Sequence, residues 1–479
     1  MILNAVACNS SESGDVDAKI QAVENNLKLP FTIKGDPGSG LTISERMKHH
    51  KVPGVSVAVI DGGQIVWAKG YGTKEAGGDD PVTPETLFQA ASISKPVSAM
   101  GALRLVEKGM LALDDPVNDK LQSWHVPVNE FTEKEKVTLR RLLTHSAGLT
   151  VHGFPGYAAS KDIPTIIQVL DGEKPANTPP VRVDMPPGSE WRYSGGGYTV
   201  MQLLVSDITG KPFDEYMKKT VLDPIGMKNS TFEQPLPAEK AVLAASAHRP
   251  TGKMIPGKWH IYPELAAAGL WTTPSDLCRY AVEVQKSLGG KSNKVLSQNM
   301  IRQMLTPGIG NWGLGPAISP PGQVKMFSHG GGNDGFRCQL VAFSELGMGA
   351  AVMTNSDNGS ELAMEIIRGI AEVYDWPYFR PEEIVPITLD PGILDAYIGD
   401  FRMASAPGIP FKVSVKEGEL YVTILGKGNV SLTPVSETEF VYLEGGWRLT
   451  FVKKPDGSCD EIKVGQVHSS MDMRLLRKK

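Results

Sequence analysis

Hydrophobic and polar positions along the 479-residue chain change period several times, and those changes divide it into predicted elements. Residues 9–40 are polar and broken by Gly and Pro, which predicts a tether and a first helix over residues 15–26. Residues 41–50 suit a short helix. Residues 55–60 alternate and are rich in β-branched side chains, Asp61-Gly62-Gly63 makes a turn, and residues 64–71 form the returning strand. From Ser92 to about Gly109, the apolar stripe Val97, Met100, Leu103 and Val106 has the period of a helix. Pro96 is compatible with its first turn, where N–H groups have no intrahelical acceptor to lose. Residues 139–143 predict another short helix, and Val200, Leu203, Leu204 and Ile208 mark a longer one ending at Gly210. Residues 325–328, 338–343 and 349–354 read as extended segments, and residues 361–374 as a closing helix.

Strands at both ends of residues 41–375 with helices between them predict one α/β or α+β domain, its sheet gathering strands from both ends of the segment. Residues 1–40 precede it. Pro377, Pro381, Pro386 and Pro391 mark a linker over residues 376–392. In residues 393–479, six short alternating segments are separated by turn signals such as Glu417-Gly418, Gly445-Gly446 and Asp456-Gly457. That pattern predicts a small all-β, lipocalin-like up-and-down barrel.

Composition narrows the function classes. Net charge is −4 and no basic run stands out, which gives a nucleic-acid partner no support. No apolar run approaches the roughly 18 residues of a membrane span. The four cysteines, Cys8, Cys278, Cys338 and Cys459, lie far apart without a Cys-x-x-Cys pair, so neither a zinc site nor a disulfide framework is expected, and no cofactor is implied. Ala5-Val6-Ala7-Cys8 looks like the end of a bacterial lipoprotein signal and points to the cell envelope or periplasm. The missing positive segment and the short apolar stretch fit either a truncated signal or, as the alternative, a cytoplasmic chain.

Candidate chemistry gathers in three patches. The first is Ser92-Ile93-Ser94-Lys95. In the first turn of a helix, residues three apart share a face, so an amine stands beside a hydroxyl. Serine is a weak nucleophile until a neighbouring base takes its proton, and lysine can be that base only when burial or charge brings its pKa down to roughly 7–8. Alone, the spacing is equally that of a serine capping a helix. The second patch, Tyr193-Ser194-Gly195, offers a phenol at the tip of a glycine-rich turn. The third, His329-Gly330-Gly331-Gly332, is a glycine run where a substrate backbone can come close. His145, in a tight turn before Gly148, reads as a hydrogen-bonded structural histidine rather than a general base.

In this order and spacing the three patches resemble the serine-reactive penicillin-recognising superfamily: class C β-lactamases, D-Ala-D-Ala carboxypeptidases, D-aminopeptidases and related esterases. Flanking stretches carry the likeness across residues 41–375, among them Val52-Pro53-Gly54-Val55, Leu142-Leu143-Thr144-His145-Ser146-Ala147-Gly148, Pro224-Ile225-Gly226-Met227 and Ala267-Ala268-Gly269-Leu270. The resemblance implies an antiparallel sheet flanked by helices, a mostly helical subdomain, and a cleft between them. It implies Ser92 as the acylated nucleophile, Lys95 as its base and Tyr193 as an aid to proton transfer. Backbone N–H groups of Ser92 and Gly332 would form an oxyanion hole, with His329, Gly330, Gly331 and Gly195 lining the substrate site.

Two departures bear on the activity. Gly195 stands where the family's second motif usually has asparagine, and His329 where β-lactamases carry lysine. A permanent positive charge for a substrate carboxylate is thus missing or pH-dependent. The expectation is a serine hydrolase acting through a Ser92 acyl-enzyme on a small ester, amide or D-amino-acid peptide. The alternatives are a β-lactamase and a non-catalytic penicillin-binding-like sensor or scaffold. Specificity would come from residues 120–135, 150–190 and 255–265; the oligomeric state is left open.

Overall fold

The computed structural model describes residues 9–36, 40–404, 406–424, 428–467 and 472–478. Cys8, on which the envelope reading rests, lies outside the described residues. The chain forms two units. One comprises residues 44–364 with the described residues up to Val16; the other comprises residues 17–43 with 365–479.

The first unit is built on a six-stranded antiparallel sheet. Its strands are β1 (Gly54–Asp61), β2 (Gln64–Gly72), β3 (Ala317–Ile318), β4 (Met326–Asn333), β5 (Phe336–Phe343) and β6 (Gly349–Thr354), in the spatial order β2-β1-β6-β5-β4-β3. The sheet does gather strands from both ends of the segment. β1 lies inside the sheet and is buried from Gly54 to Ile60, so the alternation of residues 55–60 does not separate a core face from a solvent face. Ala58 pairs with Ala68 of β2 on one side and Ala351 of β6 on the other. These small residues leave room for the helix Pro274–Leu288, whose Cys278 Sγ reaches the Ala58 carbonyl at 3.5 Å.

Three further helices form the layer that carries the chemistry: α1 (Ser94–Glu107), α2 (Gly195–Thr209) and the short α3 (Leu265–Ala268), which packs against both of the others. α1 is buried from Ser94 through Leu103, so its whole first half lies in the core rather than on an amphipathic surface. Ser92 itself precedes this helix. It occupies a 3-10 turn over Ala91–Ile93, a correction to the helix expected from Ser92 onward.

The glycine run lies within a strand rather than beside one. β4 pairs with β5 along its whole length, from Phe343↔Met326 to Phe336↔Asn333, whereas β3 covers only Phe327 and Ser328. Residues 329–333 are therefore an open edge of the sheet among the described residues.

In the second unit, eight strands from Gly399–Met403 to Asp472–Arg477 close into an antiparallel barrel, the first pairing with both the second and the last. Tyr397, Phe401, Phe440 and Phe451 fill its interior. The short strands Phe31–Ile33 and Glu382–Ile384 pair in parallel. The first helix spans Asn9–Glu24, so positions expected in a tether are helical; no proline interrupts them. No helix of the described residues is long and apolar enough to cross a membrane.

Candidate active site

The turn that presents Ser92 is held by partners far away in sequence. The short strand Phe88–Gln89 pairs with Trp271–Thr272, the Ala90 N–H donates to the Leu270 carbonyl (2.8 Å), and Ser94 Oγ accepts from the Leu270 N–H (3.0 Å). Between these two anchors Ala91 takes φ +50°, a conformation an L-residue holds only when its surroundings enforce it. The result is a strand, a tight turn and a helix start, with Ser92 Oγ at the bend.

Lys95 follows one turn later and is only 2% exposed. Its Nζ lies 3.0 Å from Ser92 Oγ and donates to the Ala267 carbonyl of α3 at 2.8 Å. The rings of Tyr193 and Tyr198 stand over it, with centroids 4.9 and 5.7 Å away. Burial brings its pKa down from 10.5 to about 7. At neutral pH a large share of the amine is therefore uncharged and has a lone pair for the Ser92 proton.

Burial pushes the Tyr193 phenol well above the usual value, with the nearby Ser92 hydroxyl a smaller, opposing influence. It is thus a neutral O–H at any ordinary pH. Its ring is positioned by His145, 4.2 Å away and tilted 31°. His145 Nδ1 accepts the Ser194 N–H (3.1 Å), in keeping with the structural reading, and leaves the proton of the neutral ring on Nε2. Burial first, then the charge of Lys95, holds His145 well below its usual pKa. Ser194 Oγ accepts from Gly197 N–H and starts α2. At Gly195 a Cβ would stand 2.9 Å from the Phe154 ring, so the place of the family's asparagine is taken up by the loop carrying His152 and Phe154.

On β4, His329, Gly331 and Asn333 face the helical layer. Asn333 Nδ2 donates to Gln89 Oε1 (2.8 Å) and to the Ala268 carbonyl (3.1 Å), tying the sheet edge to the strand before Ser92 and to α3. Gly331 lies against the Ala90 carbonyl. His329 Nδ1–H donates to the Gly330 carbonyl (2.6 Å), which leaves Nε2 as an acceptor without a partner among the described residues. Burial and the neighbouring Lys95 bring the His329 pKa to about 3. With that pKa the imidazole at position 329 is neutral at neutral pH. Gly330 and Gly332 are exposed on the open edge.

Ser92, Lys95, Tyr193 and His329 thus come together, with Gly331 beside them and Gly195 behind Tyr193. The site also holds residues to which the sequence reading assigned no role. Trp191 and Trp312 lie near Tyr193, with centroids 6.4 and 5.7 Å from its ring, and His152 lies 4.9 Å from it. Glu264 is fully buried, and its carbonyl accepts the Ala267 and Ala268 N–H groups that shape α3. Burial raises the Glu264 carboxyl to about 8, and neither of its oxygens has a hydrogen-bond partner among the described residues. Among the described residues, no group of three or more His, Cys, Asp or Glu could hold a metal ion.

A helical layer set against the open edge of one antiparallel sheet, with Ser92 and Lys95 where they meet, is the architecture of the penicillin-recognising hydrolases. The Beta-lactamase family model matches residues 41–375, and the chain belongs to that family. Penicillin-binding protein 4* of Bacillus subtilis is 24% identical over 404 residues, which covers 80% of this chain and 87% of the relative. The octameric penicillin-binding protein homologue from Pyrococcus abyssi superposes with a TM-score of 0.61 at 25% identity, covering 91% of this chain and 98% of that one. The D-amino acid amidase from Ochrobactrum anthropi, in its complex with L-phenylalanine amide, superposes with a TM-score of 0.56 at 20% identity, covering 75% and 99%; at that identity the likeness is one of fold.

Proposed function

We propose that the protein is a serine hydrolase that acts through a Ser92 acyl-enzyme on a small ester, amide or D-amino-acid peptide. The observation that carries this reading is the buried Lys95 amine, with a pKa of about 7, lying 3.0 Å from Ser92 Oγ.

Ser92 Oγ attacks the substrate carbonyl carbon, and its proton passes to the Lys95 amine. The carbonyl oxygen becomes an oxyanion held by the N–H groups of Ser92 and Gly332. The acyl portion lies along the open edge at Gly330–Gly332, where no side chain stands in its way. As the tetrahedral adduct collapses, the bond to the leaving oxygen or nitrogen breaks, and that atom takes the proton from Lys95 by way of the Tyr193 hydroxyl. A water molecule then attacks the acyl carbon, gives its proton to the same pair, and Ser92 recovers its own. His329 is neutral and Gly195 has no side-chain amide, so the site offers neither a fixed charge at position 329 for a substrate carboxylate nor the family's asparagine contact, which favours simple esters and amides over β-lactams.

Replacing Ser92→Ala is expected to abolish hydrolysis of p-nitrophenyl butyrate and labelling by a fluorophosphonate. Undiminished labelling of that variant would overturn the assignment. Nitrocefin turned over faster than the ester would promote the β-lactamase reading, and acylation by a penicillin or an ester that is slow and never followed by regeneration of the free serine would promote the sensor or scaffold reading.

A further inference from the structure

The aromatic side chains around Tyr193 form a wall that the acyl-transfer chemistry does not use. Trp191 and Trp312 lie 5.5 Å apart with their planes 36° apart, and Trp191 is 37% exposed. Although Gly310 and Trp312 cover part of it, Trp191 keeps apolar surface exposed beside Tyr193. The wall is also rigid. Trp312 Nε1–H donates to the Gly315 carbonyl (3.0 Å), and its own carbonyl accepts from the Gly308 N–H (2.9 Å). Gly310, at φ +68°, lies flat on Trp191; a Cβ there would stand 2.6 Å from Trp191 Cγ. The loop 308–312 therefore cannot change shape or gain a side chain without disturbing the tryptophan.

The wall has a definite place in the reaction. The group that protonates the leaving atom must reach it, so the leaving group departs on the side of Tyr193. Trp191, Trp312 and His329 all lie within 6.4 Å of the Tyr193 ring, between centroids. The acyl portion, by contrast, runs along Gly330–Gly332. The imidazoles that complete the wall are uncharged, as is a large share of the Lys95 amine, so its surface is apolar rather than ionic.

We propose that Trp191 and Trp312 form a leaving-group subsite that selects esters and amides whose departing alcohol or amine carries a flat, uncharged aromatic group. This rests on the serine-hydrolase reading above and adds the class of leaving group to it.

Benzyl and ethyl butyrate test it, since they share an acyl group and have alcohols of similar acidity. The benzyl ester is expected to be favoured about tenfold in kcat/KM, as one apolar group in a pocket is worth. Trp191→Leu and Trp312→Leu should each lower that benzyl-to-ethyl ratio at least about threefold, and Trp191→Phe should keep most of it. Fluorophosphonate labelling of the variants checks that the site is folded. Several results would overturn the proposal while leaving Ser92 chemistry intact. One is a ratio near one in the wild type, or one that both leucine variants leave unchanged. Another is a preference that follows the acyl side, with methyl phenylacetate over methyl butyrate lost in the variants instead. A third is butyrylcholine preferred over its neutral isostere 3,3-dimethylbutyl butyrate, which would make the wall a cation site. Absence of ester hydrolysis together with absence of labelling would overturn both this inference and the function it rests on.

Discussion

Gly331 lies so close to the Ala90 carbonyl oxygen that a Cβ at residue 331 would overlap it. The clash would be with backbone on one side and with Cys338 Cβ at 3.3 Å on the other, so no side chain can swing away to relieve it. This contact sets the distance between the open sheet edge and the turn that presents Ser92.

Gly331→Ala should therefore push β4 away from the Ser92 turn. A displacement of about 1 Å at a catalytic centre costs on the order of a hundredfold in rate, whereas overpacking at one position costs stability of about 1–3 kcal/mol. The expected outcome is a variant that folds, melts a few degrees lower, and has lost most of its kcat/KM for p-nitrophenyl butyrate. Wild-type activity in this variant would show that the edge does not take part in the reaction.

The Lys95 amine must be uncharged to accept the Ser92 proton. With a pKa of about 7, kcat/KM should rise with pH and level off above neutrality, giving an acid limb near pH 7. His329 titrates too low, and Tyr193 too high, to add a limb between pH 5 and 9. A pH–rate profile is the measurement. A limb displaced to pH 10 would mean that Lys95 is an ordinary charged lysine and not the base.

The same burial has a thermodynamic signature. The Lys95 pKa falls on folding from 10.5 to about 7, so the native state binds fewer protons than the unfolded state in that window. Its contribution is fully present above about pH 10.5 and is lost as pH falls toward 7, by at most roughly 5 kcal/mol. Lys95→Met should remove this dependence, so the stability of the variant relative to wild type increases from pH 10 to pH 7 in urea unfolding. Parallel curves over that range would contradict a buried, neutral amine.

Glu264 has the opposite sign. Its carboxyl is raised from 4.5 to about 8, so stability is fully present below about pH 4.5 and is lost as pH rises through 8. Glu264→Gln keeps the shape and removes the titration. Thermal melts should show the variant gaining on wild type between pH 5 and pH 9 by several degrees. An equal difference at both pH values would mean that the carboxyl reaches water on ionisation.

The contrast between these groups shows what could be read from the residues alone. The Ser92–Lys95 spacing put the amine beside the hydroxyl, and the β-branched residues at positions 55–60 marked β1 as a strand, although their alternation did not foretell the burial of both its faces. The helix Leu139–Leu143 has the bounds its local pattern predicts. The turn at Ala91 was illegible, because its positive φ is enforced by Leu270, which is distant in sequence. Trp312 sits in a glycine-rich segment with no periodicity, so nothing local aims it at Tyr193. The two barrel strands that no alternating segment foretold, Gly399–Met403 and Asp472–Arg477, bring chiefly Phe401 and Leu475 to the core and find their pairing across the whole domain. In each case the missing information was a contact between residues far apart in the chain.

Tyr193 separates a positioning role from a chemical one. Its ring contacts His145 at 4.2 Å and covers Lys95 at 4.9 Å, and both contacts survive in Tyr193→Phe. Only the hydroxyl, which lies near Ser92, is lost. If Tyr193 merely shields Lys95, the variant should keep its acid limb near pH 7 and nearly all of its rate. If the hydroxyl carries the proton to the leaving atom, kcat should fall about 10²- to 10⁴-fold, while the acid limb and the melting temperature hardly move. The second outcome is expected. It should be sharpest for substrates with poor leaving groups, because those need the proton most: an alkyl ester should lose far more rate than a p-nitrophenyl ester, whose leaving group departs without help. An equal loss for the two esters would assign Tyr193 to packing alone.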